Sequence, residues 1–294
     1  MAARLTVLMV LADSGPGAIE CVERVLAVPL VDELLVLDNA SSDGVPEALL
    51  QHHGGDARLR VRTMGTNLGF GAAMNRGAAM TSGETLLLLN PDCLLTAADL
   101  AHLCQTLAGD PRIGLVGALI GDSAGRPDPA SRRRDPTLWR VLCSMLGLYR
   151  FEHRWPVFSG VNVLGSAGPG RSDVESISGA LMLVSRAAFA AVRGFDEDYF
   201  LHFEDLDLCR RLRQAGWRIV LDGEVRVVHG KGGSSRHRPV FVTWHKYRGL
   251  LRYLQRHDPV ARRWPQRWLL LILVWGHFLW RLPILFLRGL FARD

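Results

Sequence analysis

The chain has 294 residues, 48% of them hydrophobic, and a formal net charge of +6. This apolar content excludes a disordered protein and is enough for a sizeable buried core. Nearly all of the positive charge is arginine, which suits phosphate ligands and anionic lipid headgroups, and because no helix-turn-helix, zinc-finger or RNP pattern accompanies it, we predict no nucleic-acid partner.

The first 120 residues alternate short apolar runs with helical spacings. Strands are predicted over residues 5–11, 33–37, 59–63 and 84–89, and helices over 18–28 and 75–80. This alternation predicts an α/β fold with a mainly parallel sheet flanked by helices on both faces. In such sheets, ligands bind at the carboxyl ends of the strands.

Beyond residue 120 the pattern is less regular. Loops rich in proline, glycine and serine occupy much of 121–175, with one short helix over 137–149. The remaining predicted elements are strands over 176–185, 217–221 and 225–228 and helices over 205–215 and 240–255. Gly216 follows the first of these helices as a C-terminal stop.

Residues 268–287 form an apolar tail that is rich in tryptophan and flanked by arginines. A helix that spans a bilayer needs about 20 mostly apolar residues. The tail reaches that length only across Arg281 and Pro283, which are costly inside a bilayer. We therefore predict a helix pair or a broken helix that lies in the membrane interface, with a buried core helix or a helix that spans the bilayer as the alternatives.

Polar side chains follow two predicted strands at the point where each strand ends. Asp38 follows the second, where its carboxylate can accept hydrogen bonds from a nucleobase or a ribose. Asn90-Pro91-Asp92 follows the fourth, and Asp92 can hold a divalent cation against a nucleotide diphosphate, because such ions prefer carboxylate and phosphate oxygens. Ordinary turns that cap the next helix are the alternative at both places.

The segment from Asn67 to Gly77 is rich in small residues. Gly69 and Gly71 allow a backbone or a flat ligand to approach closely, and Asn67 can cap the helix that follows. Tight packing of this helix on the sheet is the alternative explanation. The segment is not a P-loop, because it lacks the Gly-Lys-Ser/Thr ending.

Three acidic residues lie within four positions in the run from Glu204 to Asp207. Their mutual repulsion favours a role beside a cation or as a base with a raised pKa. The alternative is charge that complements a helix dipole, which we assign to Asp207, with Arg210 and Arg211 as its partners. Glu204 and Asp205 are the better catalytic candidates.

His229 follows the last predicted strand and precedes a glycine-rich basic loop that contains Lys231 and Arg236. Such a loop suits contact with a metal and a diphosphate. A purely structural histidine is the alternative.

Taken in order, these motifs resemble the family-2 glycosyltransferases with the GT-A fold, over about residues 5–255. The matching segments are Asp38-Asn-Ala-Ser-Ser-Asp-Gly, Asn67-Leu-Gly-Phe-Gly with Asn75 and Gly77, Asn90-Pro-Asp, Ser178-Gly-Ala-Leu-Met, Gly194-Phe-Asp-Glu, Glu204-Asp-Leu-Asp and His229. The chain is most similar to the rhamnosyltransferase-like branch, which builds cell-wall linkers and surface polysaccharides. It departs from the family at residues 11–14, where Leu-Ala-Asp-Ser replaces the frequent Asn-Tyr-Asn, so the resemblance does not imply the family's base-stacking contact here.

The resemblance implies a role for each candidate residue. Those implied to bind the nucleotide sugar are Asp38, Asn39, Ser41, Asn67, Gly69, Asn75, Asn90 and Asp92. Asp92 and His229 would bind Mg²⁺ or Mn²⁺, and Lys231 and Arg236 would contact the diphosphate. Gly179 and Ala180 would line the acceptor side. Asp205 would be the general base, with Glu204 beside it.

The resemblance also implies an activity. A sugar, rhamnose in the branch named above, would pass with inversion from a nucleotide-diphosphate donor to a hydroxyl of a glycan or polyprenyl-linked acceptor. Residues 1–258 would form the GT-A domain, with 1–120 as the nucleotide-sugar half and 121–258 as the acceptor and catalytic half. Residues 259–294 would be a membrane-associating helical tail.

Cysteine usage and the tail together predict the location. The five cysteines are odd in number and form no CxxC pair, which favours reduced thiols in a cytoplasmic setting. We therefore expect a peripheral or monotopic protein on the cytoplasmic face of a bacterial inner membrane.

Two other functions fit parts of the pattern. A sugar-phosphate nucleotidyltransferase would carry a basic glycine-rich loop after the first strand, but residues 13–17 read Asp-Ser-Gly-Pro-Gly. A non-catalytic, membrane-docked nucleotide-sugar-binding protein would not need the acids at positions 92, 204 and 205, all of which are present.

Overall fold

The structure is a computed structural model that describes residues 4–122, 124–165, 168, 170–230 and 238–291. The strands are β1 (Leu5–Leu11), β2 (Glu33–Asp38), β3 (Leu59–Thr63), β4 (Thr85–Leu89), β5 (Cys93–Leu94), β6 (Ile113–Gly121), β7 (Arg132–Arg133), β8 (Arg171–Asp173), β9 (Ser176–Ile177), β10 (Leu181–Ser185) and β11 (Arg218–His229). The helices are α1 (Gly17–Leu26), α2 (Val45–His53), α3 (Phe70–Ala79), α4 (Ala97–Ala108), α5 (Leu138–Met145), α6 (Arg186–Ala191), α7 (Glu204–Gln214), α8 (Pro239–His257), α9 (Pro259–Arg262) and α10 (Trp264–Phe291).

Nine of the described strands form one sheet in the order β3-β2-β1-β4-β10-β6-β11-β5, with β8 paired to β11. The pairs among β3, β2, β1 and β4 are parallel, as is the pair of β6 with β11. The strand β10 runs antiparallel to both of its neighbours. The sheet is therefore mixed, and its first four strands form a parallel half that contains the predicted strand ends.

Both faces of the sheet are covered, which explains the continuous apolar runs in the sequence. Val7 and Met9 of β1 point into a core with α1 and α4, while Leu8 points into a second core with α3, α6 and α7. Successive side chains of a strand alternate between faces. Burial of each of these side chains stabilises the fold by about 1.5–3 kcal/mol.

Three predicted strands had the wrong bounds. The run 176–185 is divided between β9, which pairs with β7 in a separate small sheet, and β10 of the main sheet. The two strands predicted over 217–221 and 225–228 are one strand, β11, whose pairing with β6 shifts register between Asp222 and Arg226. A bulge of this kind bends a strand without ending it.

The apolar tail is one continuous helix, so the predicted helix pair or break was wrong. Helix α10 runs through Pro283, although a proline inside a helix costs about 3 kcal/mol. Packing offsets this cost, because Leu270, Phe278 and Leu285 of α10 are buried in a third apolar cluster with α8. Residues Trp264–Leu287 are long and apolar enough to cross a membrane by length and composition, and most of that stretch is not buried in the protein.

Candidate active site

Strand pairing brings three of the predicted residues together at the carboxyl end of the sheet. The strands β5 and β11 are antiparallel and place His229 opposite Cys93, next to Asp92. The Nε2 atom of His229 lies 3.0 Å from Oδ1 of Asp92 and 3.4 Å from Nδ2 of Asn90. These three side chains are 139 residues apart at most and form one corner of a cavity.

The cavity has a volume of about 310 Å³. The predicted residues that line it are Asn39, Asn67, Gly69, Asn90, Asp92 and His229. Lining residues that the sequence did not single out include Asp13, Phe200, His202, Arg238 and Phe241. The rings of Phe200 and Phe241 contact each other edge to face, with centroids 5.6 Å apart. This contact could not be predicted from the residue types.

The turn after β2 is held rigid by its own side chains. Asp38 is buried, and its Oδ1 accepts a hydrogen bond of 2.8 Å from the Ser41 amide. Asp13 of the first loop accepts a hydrogen bond from the Ser42 amide. The Nδ2 of Asn39 donates to the Gly69 carbonyl, whereas its buried Oδ1 has no partner among the described residues. That oxygen is free to accept a hydrogen bond from a ligand in the cavity.

Gly69 is needed where the chain enters α3. Its φ is +83°, and a Cβ there would lie 2.5 Å from the Phe200 carbonyl oxygen. The Oδ1 of Asn67 accepts a hydrogen bond from the Gly69 amide, so Asn67 closes this turn rather than capping α3. Any side chain at position 69 is therefore both strained and in collision with the backbone.

Asn75 is predicted to bind the nucleotide sugar, but its contacts in the structure are with the protein itself. Its side chain donates to the Phe195 carbonyl and to Glu197, and it accepts from the Phe195 amide. It lies outside the residues that line the cavity. In this geometry Asn75 fastens α3 to the turn that precedes the acidic run.

Asp205 lies at the start of α7 and is held by three donors. The guanidinium of Arg133 contacts its Oδ2, which also accepts a hydrogen bond of 3.0 Å from the Gly179 amide. Its Oδ1 accepts from the Leu206 amide. A Cβ on Gly179 would lie 3.2 Å from the Cβ of Asp205, so glycine leaves room for this approach. The next residue, Ala180, accepts a hydrogen bond from the Asn90 amide and links this group to the metal corner.

Sequence reasoning missed Arg133, which lies 72 residues before Asp205. It comes from β7, and it also donates to the Ile177 carbonyl of β9. The run of three arginines at 132–134 lies in a stretch whose composition predicts only a loop. Nothing local in that run distinguishes Arg133 from its neighbours.

Glu204 is buried beside Asp205 but has few contacts. Its Oε2 has no hydrogen-bond partner among the described residues. Burial, and then the negative charge of Asp205, raise the pKa of Glu204 to about 8. The residues before it, His202 and Phe203, have φ values of +66° and +73°. Burial, and then Lys246, lower the pKa of His202 to about 4, so the two side chains are neutral at pH 7.

The raised pKa of Glu204 predicts a pH-dependent stability difference. The unfolded glutamate ionises near pH 4.5 and the folded one near 8, so the protein loses stability as pH rises across that range. We expect Glu204→Gln to raise the free energy of unfolding by at least about 1 kcal/mol at about pH 8.5, and by much less at about pH 5. Thermal unfolding at both pH values measures this, with the exposed Glu47→Gln as a control. An equal effect at both values would contradict the assignment.

Asp207 has the structural contacts that the sequence predicted for it, with one correction. Burial alone would raise the pKa of Asp207, but hydrogen bonds from His257 and the Arg211 guanidinium lower it. Arg211 donates to it at 2.6 Å. The predicted pairing with Arg210 was wrong, because that guanidinium pairs with Asp135 at 3.2 Å. The side chain of Asp207 is fully buried, so it anchors α7 rather than contacting a ligand.

The corner formed by Asn90, Asp92 and His229 fits a divalent cation. A carboxylate oxygen and an imidazole nitrogen converge there, and the other ring nitrogen of His229, Nδ1, is buried without a described partner. Carboxylate and imidazole are common ligands of such ions. Lys231 and Arg236, which we predicted to contact the diphosphate, lie outside the described residues.

A second group of possible ligands lies elsewhere. His102, Asp222 and Glu224 bring their ligand atoms within 4.8 Å of one another. Asp222 already accepts a hydrogen bond from Thr106, and its Oδ2 lies 3.5 Å from the Arg171 guanidinium. A cation there would compete with that positive charge, so this group fits an ion less well than Asp92 and His229.

Solved structures with the same fold bind nucleotides. The chain superposes on GalNAc-T7, solved with UDP, GalNAc and Mn²⁺, with a TM-score of 0.64 at 15% identity, covering 86% of this chain and 48% of that one. It superposes on the mannosyltransferase PcManGT of Pyrobaculum calidifontis, solved with GDP-Man and Mn²⁺, with a TM-score of 0.61 at 17% identity, covering 99% and 74%. These likenesses confirm the predicted GT-A fold.

Proteins with related sequences identify the family more specifically than the fold does. The chain is 31% identical over 248 residues to the N-acetylglucosaminyl-diphospho-decaprenol L-rhamnosyltransferase of Mycobacterium tuberculosis, covering 81% of this chain and 79% of the relative. It is 27% identical over 183 residues to the rhamnosyltransferase WbbL of Escherichia coli, covering 61% and 65%. The family model described as glycosyl transferase family 2 matches residues 6–166. This chain is therefore a member of glycosyl transferase family 2, similar to its rhamnosyltransferases.

Proposed function

We propose that this glycosyltransferase moves a sugar, rhamnose, from a nucleotide-diphosphate donor to a hydroxyl of a polyprenyl-linked glycan in cell-wall or surface polysaccharide synthesis. The observation that carries the proposal is the convergence of Asn90, Asp92 and His229 on one cavity, with Ala180 linking them to Gly179 and the buried Asp205. The relatives support the sugar and the acceptor, since one is named for rhamnosyl transfer to a decaprenol-linked glycan.

The donor half of the proposed site lies on the parallel strands. The rigid turn after β2 and the free Oδ1 of Asn39 suit hydrogen bonds to the nucleoside. A divalent cation held by Asp92 and His229 would offset the charge that builds on the departing nucleotide diphosphate. Arg238 lines the same cavity and adds a positive charge on that side.

The acceptor half is built around Asp205. A sugar hydroxyl is a poor nucleophile at neutral pH, so a base must take its proton as the oxygen attacks the anomeric carbon. Asp205 would receive that proton, with Arg133 and the Gly179 amide fixing the carboxylate in place. Glu204 is neutral at pH 7 and would donate a hydrogen bond rather than accept the proton. Direct displacement at the anomeric carbon would invert its configuration.

We place the protein on the cytoplasmic face of a bacterial inner membrane, bound through residues 259–294. Support comes from α10, whose side away from α8 exposes Trp268, Ile272 and Trp280 by 52%, 67% and 72%. Tryptophans and arginines are typical of segments that lie in the interface. A polyprenyl-linked acceptor would reach the site from the same bilayer.

The test is transfer of a radiolabelled sugar from a panel of nucleotide-diphosphate sugars, rhamnose donors among them, to a polyprenyl-diphosphate-linked acceptor with Mn²⁺. We expect labelled lipid-linked product and release of nucleoside diphosphate. Release of inorganic diphosphate from a sugar phosphate and a nucleoside triphosphate would instead indicate a nucleotidyltransferase. Donor binding without turnover under all conditions would indicate a non-catalytic binding protein.

A further inference from the structure

Residues 138–158 expose apolar side chains that no described residue covers. Leu146, Phe151, Trp155 and Val157 are exposed by 70%, 52%, 49% and 61%. Two of them are adjacent, because the Trp155 ring lies 6.2 Å from the Phe151 ring between centroids, and it also lies 6.3 Å from the ring of Phe158. Soluble monomers rarely expose a contiguous apolar patch of this kind without using it.

We propose that this 138–158 segment docks on the surface of an anionic lipid bilayer, as a second membrane contact beside α10. Hydrogen bonds and an ion pair fix the backbone of the segment, so the exposure of its side chains does not come from loose packing. Thr137 caps α5 through the Arg140 amide, and the indole nitrogen of Trp139 donates to the Val157 carbonyl at 2.6 Å. Arg134 binds Glu152 at 3.1 Å. The apolar side chains are therefore presented outward by a fixed backbone.

The charges of the segment match an anionic headgroup layer. Arg150 and Arg154 are exposed, and within the described part of the chain neither guanidinium has a carboxylate partner. The Arg154 guanidinium lies 5.5 Å from the Trp155 ring centroid. Glu152, the one acid among residues 138–158, is already bound by Arg134. Arginine beside tryptophan is typical of the membrane interface, where the ring is half immersed and the cation meets lipid phosphate.

The segment is continuous with the tail that we propose to bind the membrane. Leu138 and Val141 of α5 belong to the apolar cluster that joins α8 to α10. The Leu138 amide donates at 2.7 Å to Asp258, which caps α9 just before α10 begins. One packed unit therefore carries both exposed apolar surfaces, which is why we favour a bilayer over a protein partner.

Docking of the 138–158 segment on the bilayer has a consequence for the acceptor, and this consequence rests on the proposed function. The segment follows shortly after Arg133, whose guanidinium contacts Asp205. A bilayer bound by the 138–158 segment would lie on the acceptor side of the site. A lipid-linked glycan could then reach Asp205 with its polyprenyl chain still in the membrane.

Hydrogen exchange of the full chain, with and without vesicles, tests the proposal directly. Vesicles of phosphatidylcholine with phosphatidylglycerol should slow exchange in residues 144–158 as well as in α10.

The triple variant Leu146→Ser, Phe151→Ser, Trp155→Ser should weaken vesicle binding about tenfold in flotation. Leu50→Ser replaces a leucine on α2 that is 53% exposed. This variant should bind as the wild type does, and the melting temperatures of both variants check folding.

Several results would overturn the proposal. Vesicle protection confined to α10, or unchanged binding by the folded triple variant, would remove the 138–158 segment from the contact. Protection that appears without vesicles as protein concentration rises would show that a second copy covers the patch. Arg150→Gln with Arg154→Gln should reduce the preference for phosphatidylglycerol, leaving only the part contributed by the arginines that flank α10, and an unchanged preference would refute the charge match. Vesicle binding needs neither donor nor acceptor, so its outcome is independent of the proposed transfer.

Discussion

Asp205→Asn is expected to lower turnover by about 100- to 10,000-fold, because a positioned base contributes that much to proton transfer. The asparagine amide keeps the shape of the carboxylate but cannot take the acceptor proton. Donor binding should be nearly unchanged, because Asp205 lies outside the residues lining the cavity of Asn39 and Asp92. Initial rates at saturating donor measure the first effect, and titration calorimetry with the donor measures the second.

A matched substitution at the neighbouring Glu204 distinguishes the contributions of the two acids to catalysis. Glu204→Gln mimics the protonated glutamate and should cost much less activity than Asp205→Asn. Asp205→Asn leaves the buried Arg133 without its counter-charge, so circular dichroism must first show that the variant is folded, since breaking a buried ion pair costs several kcal/mol. Turnover like that of the wild type in Asp205→Asn, or a larger loss in Glu204→Gln, would assign the base elsewhere.

Asp92→Asn is expected to lower kcat/KM by about 100-fold or more and to weaken the response to Mn²⁺. A cation that stabilises a departing diphosphate contributes several kcal/mol to the rate, and each 1.4 kcal/mol is about tenfold. Asp92 supplies the carboxylate oxygen that lies 3.0 Å from His229. Rates measured against Mn²⁺ concentration in chelator-treated protein give both quantities.

The second group of acidic and histidine side chains provides the control for this experiment. Glu224 is exposed and belongs to the group with His102 and Asp222. Glu224→Gln should leave both the rate and the metal response as they are in the wild type. If that variant loses the response to Mn²⁺ while Asp92→Asn keeps it, the functional cation is bound at the second group and the assignment of Asp92 is wrong.

Much of the proposed donor half could be predicted from the sequence, because the patterns that indicate it are local. Strands buried on both faces are continuous apolar runs, so β1, β2 and β4 are visible as such. The polar residues that follow them must lie at the carboxyl edge of the sheet. Asn90 and Asp92 could therefore be named without a structure. Gly69 could be named as well, because it lies in a segment rich in small residues. The structure adds the reason, since only glycine tolerates both its φ and the contact with the Phe200 carbonyl.

The acceptor half depended on contacts between distant segments. Arg133 meets Asp205 only because β7 pairs with β9 and brings the arginine to the start of α7. Asn75 has an amide side chain of the kind that binds ligands, yet in the fold it hydrogen-bonds to the turn at Phe195. Neither outcome can be inferred from residue type or spacing.

The acidic run from Glu204 to Asp207 shows most clearly what the sequence determined and what the fold determined. By itself, the sequence determined that three acids crowd together at the start of a helix, because their spacing and the helical pattern are local. Only the tertiary structure decided their contacts. Asp205 meets Arg133 and the Gly179 amide, Glu204 is buried without a partner, and Asp207 is bound by Arg211 and His257. The physical reason is that the charge state and freedom of a carboxylate depend on burial and on cations brought by other segments.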